Sequence, residues 1–181
     1  MGKINVLDKH VAELIAAGEV VERPASVVKE LMENAIDAGA DALTVEIQHG
    51  GMSLIRVTDN GCGIAPAELP TAFLRHATSK LRTGEDLGRI GTLGFRGEAL
   101  AAIAAVSRVE IRTCQAGAEG AALRLEGGVP GTVEAAAAAE GTVISVRDLF
   151  FNTPARLKFM RKDSAETAAV AGLMQHLALS H

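Results

Sequence analysis

The feature that most constrains this chain is a pair of short strands that carries a carboxylate on its apolar face. Residues 42–48 alternate, with Leu43, Val45 and Ile47 on one side and Thr44, Glu46 and Gln48 on the other, the period of a half-buried strand. His49-Gly50-Gly51 is a turn signal, and residues 53–59 return with Ile55, Val57 and Asp59 on one face, because strand side chains repeat every second residue. Asp59 thus extends an apolar surface, an unusual place for an acid.

A helix pattern lies just upstream. From Pro24 to Ala38 the pattern is amphipathic: at ~100° per residue Val27, Val28, Leu31, Met32, Ala35 and Ile36 fill one half of the wheel, and Lys29, Glu30, Glu33, Asn34 and Asp37 the other. Pro24 suits the first turn, where its missing N–H is not needed, and Gly39 ends the helix. Residues 8–17 also have helical spacing, with Val11, Leu14 and Ile15 on one side, and Gly18 to Arg23 reads as a loop. Downstream, the pattern predicts a short helix near 66–75, a helix over 97–105, strands over 106–113, 121–126 and 141–147, and a final helix over 164–179. Residues 134–140, Glu-Ala-Ala-Ala-Ala-Ala-Glu, have helical propensity but sit between turn signals, so helix and strand both stay open there. Gly91, Gly94 and Gly97 punctuate a mobile segment placed at 73–97. The order of elements predicts one layered α+β domain over residues 1–181 with a mixed or antiparallel sheet. Two helices before the first strand do not match a doubly wound nucleotide fold.

Composition excludes several functions. Aromatics make up 3% of the 181 residues, with no Trp or Tyr, so the base-stacking surfaces of single-strand binders are missing. A net charge of −4 argues against a dedicated DNA-binding domain, which carries a basic excess. Arg156, Lys158, Arg161 and Lys162 form a local basic stretch that reads equally well as a solvated helix surface. Cys62 and Cys114 lie in no metal-ligand spacing and read as free thiols. The N-terminus lacks the apolar stretch of a signal peptide, and no run reaches the roughly 18 to 20 apolar residues of a membrane span. A cytoplasmic protein is expected.

Three segments bear on chemistry. Glu30 and Asn34 are four apart, hence neighbours on one helix face. A carboxylate can activate a water, and a neutral amide oxygen can join the shell of Mg²⁺. A solvated face is the plain alternative. Asp59-Asn60-Gly61-Cys62-Gly63 is either a tight turn capped by an acid or a base pocket. An ionised Asp only accepts hydrogen bonds, which suits an exocyclic amino group, and glycines allow close approach of a flat ligand. Gly91-Thr92-Leu93-Gly94-Phe95-Arg96-Gly97-Glu98 leads into a helix and reads as a phosphate-binding turn or as a plain flexible loop. It lacks the Gly-Lys-Ser/Thr of a Walker A loop.

Together these segments resemble the MutL/PMS DNA mismatch-repair family, of the gyrase–chaperone–histidine kinase–MutL ATPase superfamily. The resemblance rests on Gly18 to Leu31, Glu33-Asn34, Asp37 to Ala40, Asp59 to Ile64, Arg75-His76-Ala77-Thr78-Ser79-Lys80, Leu93 to Leu100 and Asp148 to Arg156, in order and spacing over nearly the whole chain. It implies a two-layer α+β sandwich of a mixed, mostly antiparallel sheet and helices, with the left-handed βαβ ATP-binding (Bergerat-type) fold. By match of motif it implies Glu30 as catalytic base and Asn34 as Mg²⁺ ligand. Asp59 matches the adenine-binding acid, with Gly63 beside it and Thr142 completing the base contact. Thr78, Ser79 and Leu93, Gly94, Phe95, Arg96, Gly97, Glu98, Ala99 and Leu100 match a phosphate-contacting lid. ATP and Mg²⁺ are the implied cofactors.

The resemblance further implies an ATP-driven conformational and dimerisation switch that coordinates a MutS-type mismatch-recognition protein with a downstream nuclease or helicase, with weak DNA binding. Family members continue into a second subdomain that supplies a lysine to the γ-phosphate, so this chain alone is expected to be mainly monomeric and slow in hydrolysis. Two rival readings are a type II topoisomerase-like ATPase domain, which would not carry Phe95-Arg96-Gly97-Glu98 or His76-Ala77-Thr78-Ser79-Lys80, and a non-catalytic scaffold using the Arg156–Lys162 stretch.

Overall fold

The computed structural model describes residues 5–75 and 98–180. The helices are α1 (Lys9–Val20), α2 (Pro24–Asp37), α3 (Leu69–Ala72), α4 (Ala99–Ala105), α5 (Pro154–Leu157) and α6 (Asp163–Ser180). The strands are β1 (Leu43–Gln48), β2 (Leu54–Asp59), β3 (Arg108–Cys114), β4 (Ala121–Glu126), β5 (Val129–Pro130), β6 (Glu134–Ala135) and β7 (Gly141–Arg147). One sheet holds these strands in the order β1-β2-β7-β3-β4-β5, with β6 beside β4, and every described pair is antiparallel.

The sheet separates an apolar layer from a charged one. On the inner face, Val45 lies opposite Val57, Val57 opposite Ile144, Ile144 opposite Ile111 and Ile111 opposite Leu123. The buried Val27, Val28 and Leu31 of α2 join this core, and α4 packs beside α2 against β3 and β4. On the outer face one row crosses five strands: Glu46, Arg56, Ser145, Glu110, Arg124. Arg56 pairs with Glu46 at 3.2 Å and donates from Nε to Ser145 Oγ at 3.1 Å. Glu110 receives Arg112 at 2.7 Å and Arg124 at 3.3 Å, and these partners hold its carboxyl below the usual range. Exposed pairs of this kind contribute little to stability, and they make this face polar. The architecture is therefore a two-layer α+β sandwich.

Several expectations need correction. The loop expected from Gly18 to Arg23 begins later, because α1 runs to Val20 and Val21 N–H still donates to Ala17 O at 2.8 Å. Gly18 does not break the helix; a Cβ there would collide with the Arg156 guanidinium, which donates to Gly18 O. Arg156 is thus tied to α1 rather than free in a basic patch, while Lys158, Arg161 and Lys162 are exposed. The segment left open at 134–140 forms only the two-residue β6. Of the segment expected to be mobile, Phe73 is buried in the core, and residues 76–97 lie outside the described residues. No helix among the described residues is long and apolar enough to cross a membrane.

Candidate functional site

Asp59 is the last residue of β2 and lies opposite Leu43 on one side and Thr142 on the other. Its half-buried carboxylate accepts the Gly61 N–H at 2.9 Å. Burial pushes its pKa up, and the backbone N–H groups of Gly61 and Thr142 oppose that shift in part. The neighbouring Asn60 turns to a structural task. Its Oδ1 accepts the N–H groups of Asp41 at 3.0 Å and Ala42 at 2.9 Å, fixing the entry to β1.

Helix α2 runs down to this acid. Glu30, Asn34 and Ala38 are spaced by four and so share a face, and Ala38 meets the loop after β2. Its carbonyl accepts the Cys62 N–H at 3.0 Å, and a Cβ on Gly61 would lie 2.9 Å from the Ala38 Cβ. With a rise of 1.5 Å per residue, Asn34 stands about 6 Å and Glu30 about 12 Å along the axis from that contact. The acid that ends β2 and the acid on α2 therefore occupy opposite ends of one cleft edge. Glu30 keeps 27% of its side chain exposed and Asn34 is partly exposed. The solvated-face alternative for α2 fails at Glu33, which is buried and pairs with Lys29 at 2.7 Å. Helix α6 also packs against α2.

Two glycines beside the site pack closely against backbone. Gly63 has φ +69, and a Cβ there would lie 2.3 Å from the Cys114 carbonyl oxygen. Gly141 has φ +109 and would place a Cβ 2.1 Å from the Asp59 carbonyl oxygen. The space a side chain would need is taken by the protein's own backbone, so these glycines close-pack the walls of the site.

Sequence reasoning missed Thr113. It is 1% exposed and lies opposite Thr142 in the β3–β7 pair. Its hydroxyl accepts the Ile64 N–H at 2.9 Å, donates to Gly141 O at 3.0 Å and meets Thr142 Oγ1 at 3.0 Å. The signal was present, since Val109, Ile111 and Thr113 share one face of β3. A Thr in a strand reads as an ordinary β-former.

Of the residues expected to contact phosphate, Thr78, Ser79, Leu93, Gly94, Phe95, Arg96 and Gly97 lie outside the described residues. Glu98, Ala99 and Leu100 sit half-buried at the start of α4, which touches α2. The Asp148–Arg156 segment proves structural: Phe150 N–H donates to Val106 O at 2.7 Å and Asn152 Nδ2 to Ala105 O at 2.8 Å, fastening the end of α4, while Arg156 holds α1. A cavity of about 440 Å³ borders Asp59, Asn60 and Thr142 and extends over the outer face along Thr44, Thr58, Arg112 and Val143. No α2 residue lines it, so it is separate from the Glu30–Asn34 edge.

Residues 19–147 match the family described as histidine kinase-, DNA gyrase B- and HSP90-like ATPases. The chain is 55% identical over its whole length to a protein named DNA mismatch repair protein MutL from Acidobacterium capsulatum, of which it spans 27%. It is 55% identical over 98% of its length to the protein of the same name from Geobacter sulfurreducens, spanning 30% of that chain. Among solved structures, the Aquifex aeolicus MutL ATPase domain complexed with ADP superposes with a TM-score of 0.68 at 35% identity, covering 88% of this chain and 56% of that one. The N-terminal domain of a DNA repair protein superposes with a TM-score of 0.75 at 27% identity, covering 91% and 47%.

Proposed function

Because the chain belongs to the histidine kinase-, DNA gyrase B- and HSP90-like ATPase family, and within it to the MutL proteins, we propose that it binds ATP along the α2 face, with the base at Asp59 and the γ-phosphate toward Glu30. The observation that carries this reading is the position of Asp59: a half-buried acceptor on an apolar sheet face, opposite Thr142, at the foot of the helix that bears Glu30 and Asn34. The solved relative in complex with ADP supports an adenine nucleotide as the ligand.

Glu30 takes a proton from water as the water oxygen bonds to the γ-phosphorus and the bond to the bridging oxygen breaks, releasing ADP and phosphate. The donor set suits Mg²⁺. Among the described residues no group of three or more His, Cys, Asp or Glu could hold a metal, and Mg²⁺ favours one or two protein oxygens plus substrate phosphates and waters over a full protein cage. Asn34 would hold it, and the ion would neutralise charge on the phosphate oxygens. The family resemblance implies a γ-phosphate lysine from a second subdomain. Since charge stabilisation is usually the largest catalytic term, such a lysine would speed turnover.

In the cell, this reading makes the nucleotide cycle a conformational and dimerisation switch in mismatch repair, in the cytoplasm, with a MutS-type recognition protein and a downstream nuclease or helicase as partners. Calorimetry with Mg²⁺ and a non-hydrolysable ATP analogue tests the reading: saturable binding is expected, and a scaffold module would show none.

A further inference from the structure

We propose that Thr113 is a positioning residue that fixes the Thr142 hydroxyl as a hydrogen-bond acceptor, so that the base pocket presents acceptors alone and selects a purine with an amino group at C6 over one with a carbonyl. The inference rests on the reading that Asp59 and Thr142 hold the base.

Proton accounting carries it. A hydroxyl has one proton and two lone pairs. Three groups lie within hydrogen-bond distance of Thr113 Oγ1: the Ile64 N–H at 2.9 Å, Gly141 O at 3.0 Å and Thr142 Oγ1 at 3.0 Å. The Ile64 N–H fills one lone pair. The Gly141 carbonyl cannot donate, so that contact requires the Thr113 proton. The third contact then requires the Thr142 proton, directed into the remaining lone pair of Thr113. The reverse arrangement, with Thr113 donating to Thr142, sets two oxygens 3.0 Å apart with no proton between them. It does so where Thr113 is 1% and Thr142 8% exposed, leaving little access for water to compensate.

With its proton committed, Thr142 Oγ1 offers only lone pairs. Asp59, directly opposite across β2 and β7, can only accept when ionised and already receives the Gly61 N–H. A C6 amino group can donate into this pair of acceptors, whereas a C6 carbonyl finds no donor. Discrimination of this kind is strong because the mismatched ligand leaves buried polar groups unpaired.

The test compares Kd values of Mg·ATP and Mg·ITP by calorimetry on the chain and on Thr113→Val, Thr113→Ser and Thr142→Val. Thr113→Val frees the Thr142 proton to donate toward a C6 carbonyl. The ATP-over-ITP preference should narrow by about tenfold, the worth of one neutral hydrogen bond, while Thr113→Ser should keep the preference. A merely structural role would weaken both nucleotides alike, and an unchanged ratio in Thr113→Val would overturn the proposal. Thr142→Val gives an independent reading should Thr113→Val not fold: loss of ATP affinity without loss of ITP affinity supports an acceptor role, and greater loss of ITP than of ATP overturns it. Failure of the underlying reading looks different, since Asp59→Ala would then leave ATP affinity unchanged whatever Thr113 does.

Discussion

Asp59 and Thr142 face each other across β2 and β7, and the main-chain N–H of the second helps to hold down the pKa of the first. The pair lies where the apolar face of the sheet ends and the loop back to α2 begins. Burial acts on the acid, and the geometry around it supplies the donors that keep it usable as a base acceptor.

The raised pKa of Asp59 gives a pH dependence with a definite sign. Burial lifts the folded-state value above 3.8, so the ionised acceptor is lost as pH falls through a point higher than an ordinary Asp would show. Adenine-nucleotide affinity should decline there. Linkage runs the other way for the empty protein: the stabilising share is present below the unfolded value and is lost as pH rises through the folded one. Affinity measured from neutral to acid pH on the chain and on Asp59→Asn checks this, because the comparison cancels titration of the nucleotide itself. Parallel profiles for the two proteins would contradict it.

Gly141→Ala should be severely destabilising. Its φ of +109 costs a non-glycine residue about 1–3 kcal/mol, and the new Cβ meets the Asp59 carbonyl oxygen at 2.1 Å. Gly117→Ala is the control, having φ +71 but nothing within 4 Å of the added carbon. Urea midpoints should separate the two variants clearly, and equal midpoints would show that the backbone contact is not as close as described.

Lys29→Ala isolates the buried acid of α2. Lys29 is 46% exposed and Glu33 6%, at 2.7 Å. An exposed pair at this spacing is worth about 0.3–0.5 kcal/mol. An acid left buried without its partner costs about 1–3 kcal/mol. The larger loss is expected in denaturant unfolding, and a loss within the smaller range would mean that Glu33 relaxes into solvent.

Glu30→Gln should lower steady-state ATP hydrolysis by about 10²–10⁴ while nucleotide affinity stays within a few-fold. Near-normal turnover would remove Glu30 from the role of base.

Much of this arrangement is legible in the sequence, for physical reasons. The strand at 121–126 and the one at 141–147 coincide with β4 and β7 because short alternating runs between glycines permit few other structures. The odd placement of Asp59 follows from period two alone. What the sequence hides is set by distant chain segments. Glu33 looks solvated in the sequence, yet the folded chain buries it. Gly18 looks like a breaker until Arg156, far along the chain, packs on it. Thr113 looks like any strand threonine until three partners converge on its oxygen. The pairing of Thr142 with Asp59 came from resemblance, and the register between β2 and β7 is the physical fact behind it.

The most direct test of the central claim is calorimetric titration of a non-hydrolysable ATP analogue with Mg²⁺ into the chain and into Asp59→Ala. Saturable binding by the first is predicted, with a loss of about 1–3 kcal/mol in the second for the unpaired base contact. Equal affinity in the two proteins would contradict the account and move the base away from Asp59.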